Sequence, residues 1–421
     1  MIDIDLPREW LWALRWALFL GPLAAVLLLG ARHRHEPRVI IGGLFAFLYG
    51  FAMIFATHQL AIAAGWWRYG GEVLMVMGLP ADIWIGGAIL FGPVLAFLFP
   101  TIHPLYLVLP IILGLHGMVF SSLDPLVMAG PFWFVGVVLV FLVAHLPAIH
   151  LARWTEQGEH LAWRAALLAL GYGFLAFYVL PSVIMLAMGG SWNLGARPLW
   201  LILAGLPVLA ACFVLGLSAV QMFVVHGEGT PIPLDPTKRL VRTGVFAYLI
   251  NPMQLSSALS WIVIGVIIGN VWVASAAVMA WVFVAGMVRW HHRHDLLQRF
   301  PEGWPTYRAN VPEWLPRWRP WVPEVARLAF DPGQKPQTGF AAWLQRRDPV
   351  GLTLEAQPGV ALTYQDPSDA RDFTAAAALG KALGHVNLAY ALLGAAVLLV
   401  VLPLRHLRRH EAFEPQGERV T

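Results

Sequence analysis

Long apolar runs separated by short polar breaks make up most of this chain, and run length is the first structural signal. About twenty apolar residues suffice to carry a helix across a bilayer. Runs of that kind lie near 10–30, 39–64, 82–99, 104–120, 131–151, 164–187, 198–225, 247–269, 271–290 and 386–404. They predict about ten transmembrane helices. The runs are continuously apolar and do not alternate in steps of two, which excludes a membrane β-barrel. One long polar interval, 291–385, breaks the series. Its first part, "PEWLPRWRPWVP" (312–323), suits a segment at the membrane surface, with tryptophans at headgroup level and arginines on phosphates. Its second part reads as a small soluble unit: strand-like "GLTLEA" and "GVALTYQD", then a helical "SDARDFTAAAALGKAL".

Composition narrows the class. Hydrophobic residues are 58% of the chain and charged residues 12%, about half the charge of a soluble domain. The net charge of +4 is spread over loops beside the runs. Nucleic-acid binding would want a continuous basic face, so no nucleic-acid partner is expected. The basic loops "ARHRHEPR" (31–38), "ARWTEQGEHLAWR" (152–164), "DPTKRLVR" (235–242) and the region after Arg289 fall on one side if ten spans are correct. The positive-inside rule makes that side cytoplasmic, with the 227–246 loop and the 291–385 insert on it, the membrane being the plasma (inner) membrane if the cell is bacterial. "RHLRRH" (405–410) would then lie opposite, against the rule. The start "MIDIDLPREW" lacks a basic head and a cleavage site, so the first run reads as a retained span. Cys212 is the single cysteine and lies in an apolar run, which leaves no intrachain disulfide and no cysteine-based zinc site.

Candidate chemistry is sparse. "HHRH" (291–294) and "HRH" (33–35) lack the helical spacing of di-iron boxes, and adjacent histidines on a helix point apart. They read as basic helix ends, and no metal is expected. His58, His116 and His145 fall inside predicted spans, where ionisable groups are candidates for function; a neutral histidine bonded to a carbonyl is the plainer alternative. Asp82 reads as a helix N-cap. No P-loop, catalytic triad or dinucleotide fingerprint is present.

The polar stretch "LDPTKRLVRTGVFAYLINPMQ" (234–254) interrupts two apolar runs. Pro231, Pro233 and Pro236 keep it extended. Lys238, Arg239 and Arg242 put positive charge at the membrane surface, and Thr243-Gly244 marks a turn. Pro252 opens the next helix. Such a loop either re-enters a polar cavity at a helix mouth or is a basic connector with proline in a first turn.

"GEGTPIPLDPTKRLVRTGVFAYLINPMQ" (227–254) resembles the membrane methyltransferase superfamily of isoprenylcysteine carboxyl methyltransferase and the bacterial phospholipid methyltransferases. After a helical hairpin, "LLQRFPEGWPTYRANVPEWLPRW" (296–318) keeps the spacing of that superfamily's second motif at Leu296, Phe300, Trp304, Tyr307 and Val311. The resemblance covers about 198–320. It implies S-adenosylmethionine bound between the 227–254 loop and the 291–308 segment, with a membrane lipid or apolar small molecule as methyl acceptor. The implied cofactor-binding positions are Arg242, Gly244, Asn251, Pro252, Met253, His292, Arg293 and Tyr307. Ile250, Gln254 and Ser256 depart from the pattern. His292 and Arg293 stand where the superfamily has two glutamates, which reverses the local charge. Arg242 is then the best remaining cation for a cofactor carboxylate. A second stretch, "FDPGQKPQTGFAAWLQRRDP" (330–349), is similar to the start of DCC-type thiol-disulfide oxidoreductase domains, with Gln334 and Gln337 at the two cysteine positions. An amide cannot attack a disulfide, so this resemblance implies a redox-inert appendage.

The expected protein is thus an all-α polytopic membrane protein of about ten transmembrane helices with a small cytoplasmic thioredoxin-like α/β appendage. Its segments are an N-terminal multi-span region (1–195), a methyltransferase-like domain (196–325), the appendage (326–385) and a terminal apolar helix with a basic tail (386–421). Methyl transfer from S-adenosylmethionine is the leading expected function. Alternatives are a non-catalytic lipid-binding or assembly factor, and an NAD(P)H-dependent reductase of related architecture.

Overall fold

Apolar length becomes helix throughout the computed structural model, which describes residues 7–70, 73–114, 123, 124, 126–230, 232, 234–367 and 371–411, with backbone alone at 8, 11 and 404–411. His116, Pro231 and Pro233 lie outside the described residues, as do the side chains of 405–410. Among the described residues seven helices are long and apolar enough to cross a membrane: Trp12–Arg32, Pro37–Ala63, Ala81–Leu98, Trp133–Gln157, Leu161–Met188, Leu199–Gly227 and Val271–Arg299. Three of the expected runs give shorter apolar helices, Pro104–Gly114, Pro252–Ile268 and Leu388–Pro403. The second is short for two local reasons: Pro252 occupies its first turn, and Gly269, at φ +66°, ends it. The third starts late because the Asn387 side chain accepts from the Tyr390 N–H and so begins the helix there.

Contacts divide the chain into two compact units, Met1–Ser191 and Trp192–Thr421. In the first, Pro37–Ala63 is the central helix, packed by the helices of 81–98, 133–157 and 161–188. Small residues permit the approach: a Cβ on Gly42 would stand 2.6 Å from the Ala152 carbonyl oxygen. Several spans pass through π-helical turns beside prolines: Leu90–Val94 contains Pro93, Phe141–His145 precedes Pro147, and Leu175–Val179 precedes Pro181. Proline has no N–H for the carbonyl four residues back, and a widened turn relieves its ring clash. At Pro147 that carbonyl is Val143, and the Tyr49 hydroxyl donates to it at 2.7 Å. A hydrogen bond lost along the chain is thus restored between helices.

The polar groups of this unit are also spent on structure. Asp82 does not cap its helix as expected: no side-chain cap bond forms at the helix start. Its carboxylate instead accepts from Arg15 Nε at 2.8 Å and Nη2 at 2.7 Å. Arg153 donates to the carbonyls of Phe99 and Ile102, at 2.5 and 2.6 Å, closing the frayed end of Leu95–Leu98. His58 Nδ1 lies 2.9 Å from the Tyr69 hydroxyl, and His145 stacks on Phe91, ring centres 3.9 Å apart. Strands Trp67–Tyr69 and Val127–Ala129 pair antiparallel, with Trp67 opposite Ala129.

In the second unit, Leu199–Gly227 and Pro252–Ile268 cross closely: a Cβ on Gly216 would meet Ser256 Oγ at 2.6 Å. The Ser256 hydroxyl donates to the Cys212 carbonyl, also at 2.6 Å, a polar tie of the kind that holds membrane helices together. Leu199, Leu203 and Leu206 stay exposed on this helix, as a lipid-facing row should. Beyond residue 325 a four-stranded sheet forms. Ala326–Phe330 pairs parallel with Leu352–Ala356, the two being joined by helix Lys335–Gln345. On its other side the first strand pairs antiparallel with Thr363–Gln365, which pairs antiparallel with Phe373–Thr374. The stretch expected to be helical from 368 is therefore strand at 373–374, and its helix is Ala376–Leu383. Leu328, Leu344, Tyr364, Phe373 and Ala378 form the core beneath that helix.

The Arg15–Asp82 pair generates a prediction, because the Arg15 side chain is 5% exposed. Removing one member of a buried pair leaves the other charge uncompensated, at a cost of about 3–5 kcal/mol. Asp82→Ala should lower the thermal stability of the detergent-solubilised protein accordingly. The double change Arg15→Met/Asp82→Leu should recover most of the loss. Equal destabilisation by the single and double variants would contradict this role.

Candidate binding site

Residues Val245–Pro252 are all buried, yet 248–251 have no regular structure to satisfy their backbone. Buried N–H and C=O groups must still be paired, and the partners come from far along the chain. The Ile250 N–H donates to the Pro312 carbonyl at 2.9 Å, and the Arg317 and Trp321 N–H groups donate to the carbonyls of Tyr248 and Ala247 at 3.0 and 2.8 Å. Tyr307 closes the set by donating its hydroxyl to the Phe246 carbonyl at 2.8 Å. Tyr248 sends its own hydroxyl to the Gly384 carbonyl at 2.9 Å. Burial pushes both phenols up from their ordinary range, so each remains a protonated donor.

This arrangement brings together the two stretches that carry the methyltransferase resemblance. Asn251 is buried and its side-chain amide donates to the Glu313 carbonyl at 3.2 Å. Glu313 also takes Arg289 at 2.9 Å and Arg308 at 3.5 Å. Ile250, Trp304, Tyr307 and Val311 pack as one buried cluster, and His292 is buried with its ring 4.6 Å from Trp304. Pro252 is buried in the first helical turn, and Met253 packs beside Leu215 and Ala219. Arg293 is exposed. Of the eight expected positions, six are taken up in this packed region, or exposed beside it.

The other two, Arg242 and Gly244, line a cavity of about 100 Å³ that adjoins this cluster, Leu240 and Trp321 touching both. One end lies between the apolar helices, at Met222, Ala391, Ala395 and Leu398; the other is polar, at His226, Glu324, Asp366, Lys381 and His385. Gly244 has φ +62°, which favours glycine, and a Cβ there would meet Met222 Sδ at 2.9 Å, so that flexible side chain would have to shift. Arg242 pairs with Glu324 at 3.4 Å. Lys381 is only 7% exposed; its Nζ meets His226 Nε2 and sits 4.5 Å from the Phe373 ring centre. The His385 ring lies between the Val350 carbonyl at 2.7 Å from Nδ1 and the Tyr364 hydroxyl at 2.9 Å from Nε2. Nδ1 must donate to the carbonyl, leaving Nε2 to accept from Tyr364, which describes a neutral imidazole. Burial, the leading cause, pushes its pKa down. Thr243 Oγ1 and Gln221 Oε1 are buried without a hydrogen-bond partner.

Sequence reasoning did not single out Lys381, His385, Asp366 or Glu324. One signal was available: Lys381 is the lone charge in the small-residue helix "AAAALGKALG", and a charge so placed needs a partner. Among the described residues no group of three or more His, Cys, Asp or Glu side chains could hold a metal. No family model matches the chain, and no curated protein or solved structure matches it.

Two outcomes follow. Gly244→Ala should cost about 1–2 kcal/mol from the left-handed backbone alone, with further loss from the Met222 contact. A melt of the purified variant measures it, and an unchanged midpoint would refute the packing argument. For His385, a folded-state pKa below the ordinary value of about 6.5 means that the unfolded chain binds more protons in acid. Its contribution to stability is full above about pH 6.5 and is lost as pH falls toward the folded pKa. His385→Asn should flatten that acid limb of a stability–pH curve; an unaltered limb would assign the acid sensitivity elsewhere.

Proposed function

We infer that this is a multi-pass membrane protein whose C-terminal unit keeps a methyltransferase-like frame and uses it to bind an amphipathic, lipid-type molecule without methyl transfer. One observation carries the reading: two of the side chains that would hold S-adenosylmethionine are already spent on main-chain carbonyls. Tyr307 is spent on the Phe246 carbonyl and Asn251 on the Glu313 carbonyl, while Ile250, Trp304 and Val311 fill the space between the two stretches. The opening that remains, at about 100 Å³, is smaller than the roughly 300–1,000 Å³ of pockets that enclose a whole small molecule, so it would take only the head and first carbons of a lipid whose chains stay in the bilayer. Its apolar end between two membrane helices and its polar end beside the sheet suit a chain attached to a polar head.

Methyl transfer is the second reading, and the convergence of the 246–253 and 304–313 stretches favours it. In that case Arg242 would orient the cofactor carboxylate bidentately, and positioning with exclusion of water would supply most of the rate. The strand order of the appendage, with a parallel pair joined by a helix followed by antiparallel strands and a further helix, supports a thioredoxin-like unit. Gln337 Nε2 donates to Gln334 Oε1 at 2.9 Å, and the Asp331 N–H donates to Gln337 Oε1 at 2.9 Å, which suits a structural rather than redox role. If the three shorter apolar helices also cross, the spans number ten and the basic loops fall on the cytoplasmic side of the plasma membrane.

Calorimetry on the purified protein in detergent separates the readings. The lipid-binding account predicts no saturable S-adenosylmethionine binding at millimolar ligand, and a co-purifying lipid in native mass spectra that Ala395→Trp displaces. Saturable S-adenosylmethionine binding would install methyl transfer instead, and a nicotinamide titration in the same cell tests the reductase.

A further inference from the structure

The polar end of the cavity has a loosely held cation beside an unused hydroxyl. Arg242 and Glu324 are 3.4 Å apart with side chains 26% and 48% exposed, a geometry that contributes little stability. Thr243, the next residue, buries a hydroxyl that has no partner. Gln221 brings a buried carbonyl oxygen in the same condition, its amide nitrogen being spent on the Leu398 carbonyl at 2.9 Å. Lys381 adds a buried cation to the same lining. By contrast, Arg239, also on the rim, is held by Glu228 at 3.0 Å.

We propose that this end of the cavity is an anion site for a phosphate or carboxylate group, which takes Arg242 from Glu324 and accepts the Thr243 hydroxyl. Glu324 is then an internal stand-in for the ligand: its carboxylate occupies the guanidinium until a better-placed anion arrives. An oxyanion can receive two parallel guanidinium N–H donors and the hydroxyl together, whereas Glu324 reaches Arg242 by one long contact. The Gln221 oxygen suits a hydroxyl or a water carried with the anionic group, since it can only accept. The proposal rests on the cavity being a ligand site, as inferred above, and adds the charge and the competitor.

The competition gives substitutions of opposite sign. Inorganic phosphate is titrated into the full-length protein in neutral-lipid nanodiscs, and retention of phosphatidylglycerol is read by native mass spectrometry. Glu324→Gln should tighten phosphate binding, about 2–5-fold for an exposed pair. Arg242→Ala should weaken it by about tenfold or more. Thr243→Val and Arg239→Ala should each weaken it less than Arg242→Ala does. Binding of both probes with this pattern assigns a phosphate that can be free or lipid-borne; phosphatidylglycerol alone assigns a headgroup, and phosphate alone a soluble anion. Weakening by Glu324→Gln, or equal losses from Arg239→Ala and Arg242→Ala, would overturn the competition. If no variant, shown to be folded by its melt, binds either probe, the anion site is wrong; a neutral lipid still displaced by Ala395→Trp would leave the lipid-binding account standing.

Discussion

Buried backbone without regular structure is the constraint on which the C-terminal unit depends. From Val245 to Pro252, up to the start of the next helix, the chain is buried, and water cannot serve its polar groups there. Non-helical backbone at such a place survives only when other protein satisfies it. The segment from Tyr307 to Trp321 does this, through its backbone at Pro312, Arg317 and Trp321 and its side chain at Tyr307. A run rich in Pro, Trp and Arg suits the task, because proline keeps it extended and leaves its N–H groups for the loop rather than for a helix. The same segment then delivers the chain into the first strand at Ala326, so one piece of chain both seals the loop and seats the sheet.

This constraint also explains the division of polar residues. Tyr248 reaches the Gly384 carbonyl, which ties the loop to the turn carrying His385 and sets one wall of the cavity. Beside it, Ile250, Trp304 and Tyr307 pack as one buried cluster. Part of the expected cofactor region is thus filled by side chains, and the adjoining cavity, which Arg242 and Gly244 line, is left open by small ones, Gly244, Gly380, Ala391 and Ala395.

Helix content was legible because apolar run length needs no long-range information: each of the ten runs holds a helix. The lengths of those helices were less so. In the apolar run 247–269, run length alone put the first residues in the helix, while Asn251-Pro252 marked where it starts. Asp82 looked like a cap because its local position fits one; its actual partner, Arg15, is 67 residues away. At the site, Gly244 was readable from its turn context. His385 and Glu324 were not, and Lys381 only as a charge in need of a partner, because they become neighbours only when the sheet docks beside Leu199–Gly227, a tertiary event without local sequence pattern. The π-helical turns fall between these cases: the prolines were visible, but the Tyr49 hydroxyl that compensates Pro147 was not.

Hydrogen exchange of the solubilised protein, read at single amides, tests the account most directly. The Ile250, Arg317 and Trp321 amides form one bonded set and should open together, with similar protection that falls in concert in Tyr307→Phe. Fast exchange at Arg317 and Trp321 beside a fully protected Ile250 would show that the loop is not held by that segment.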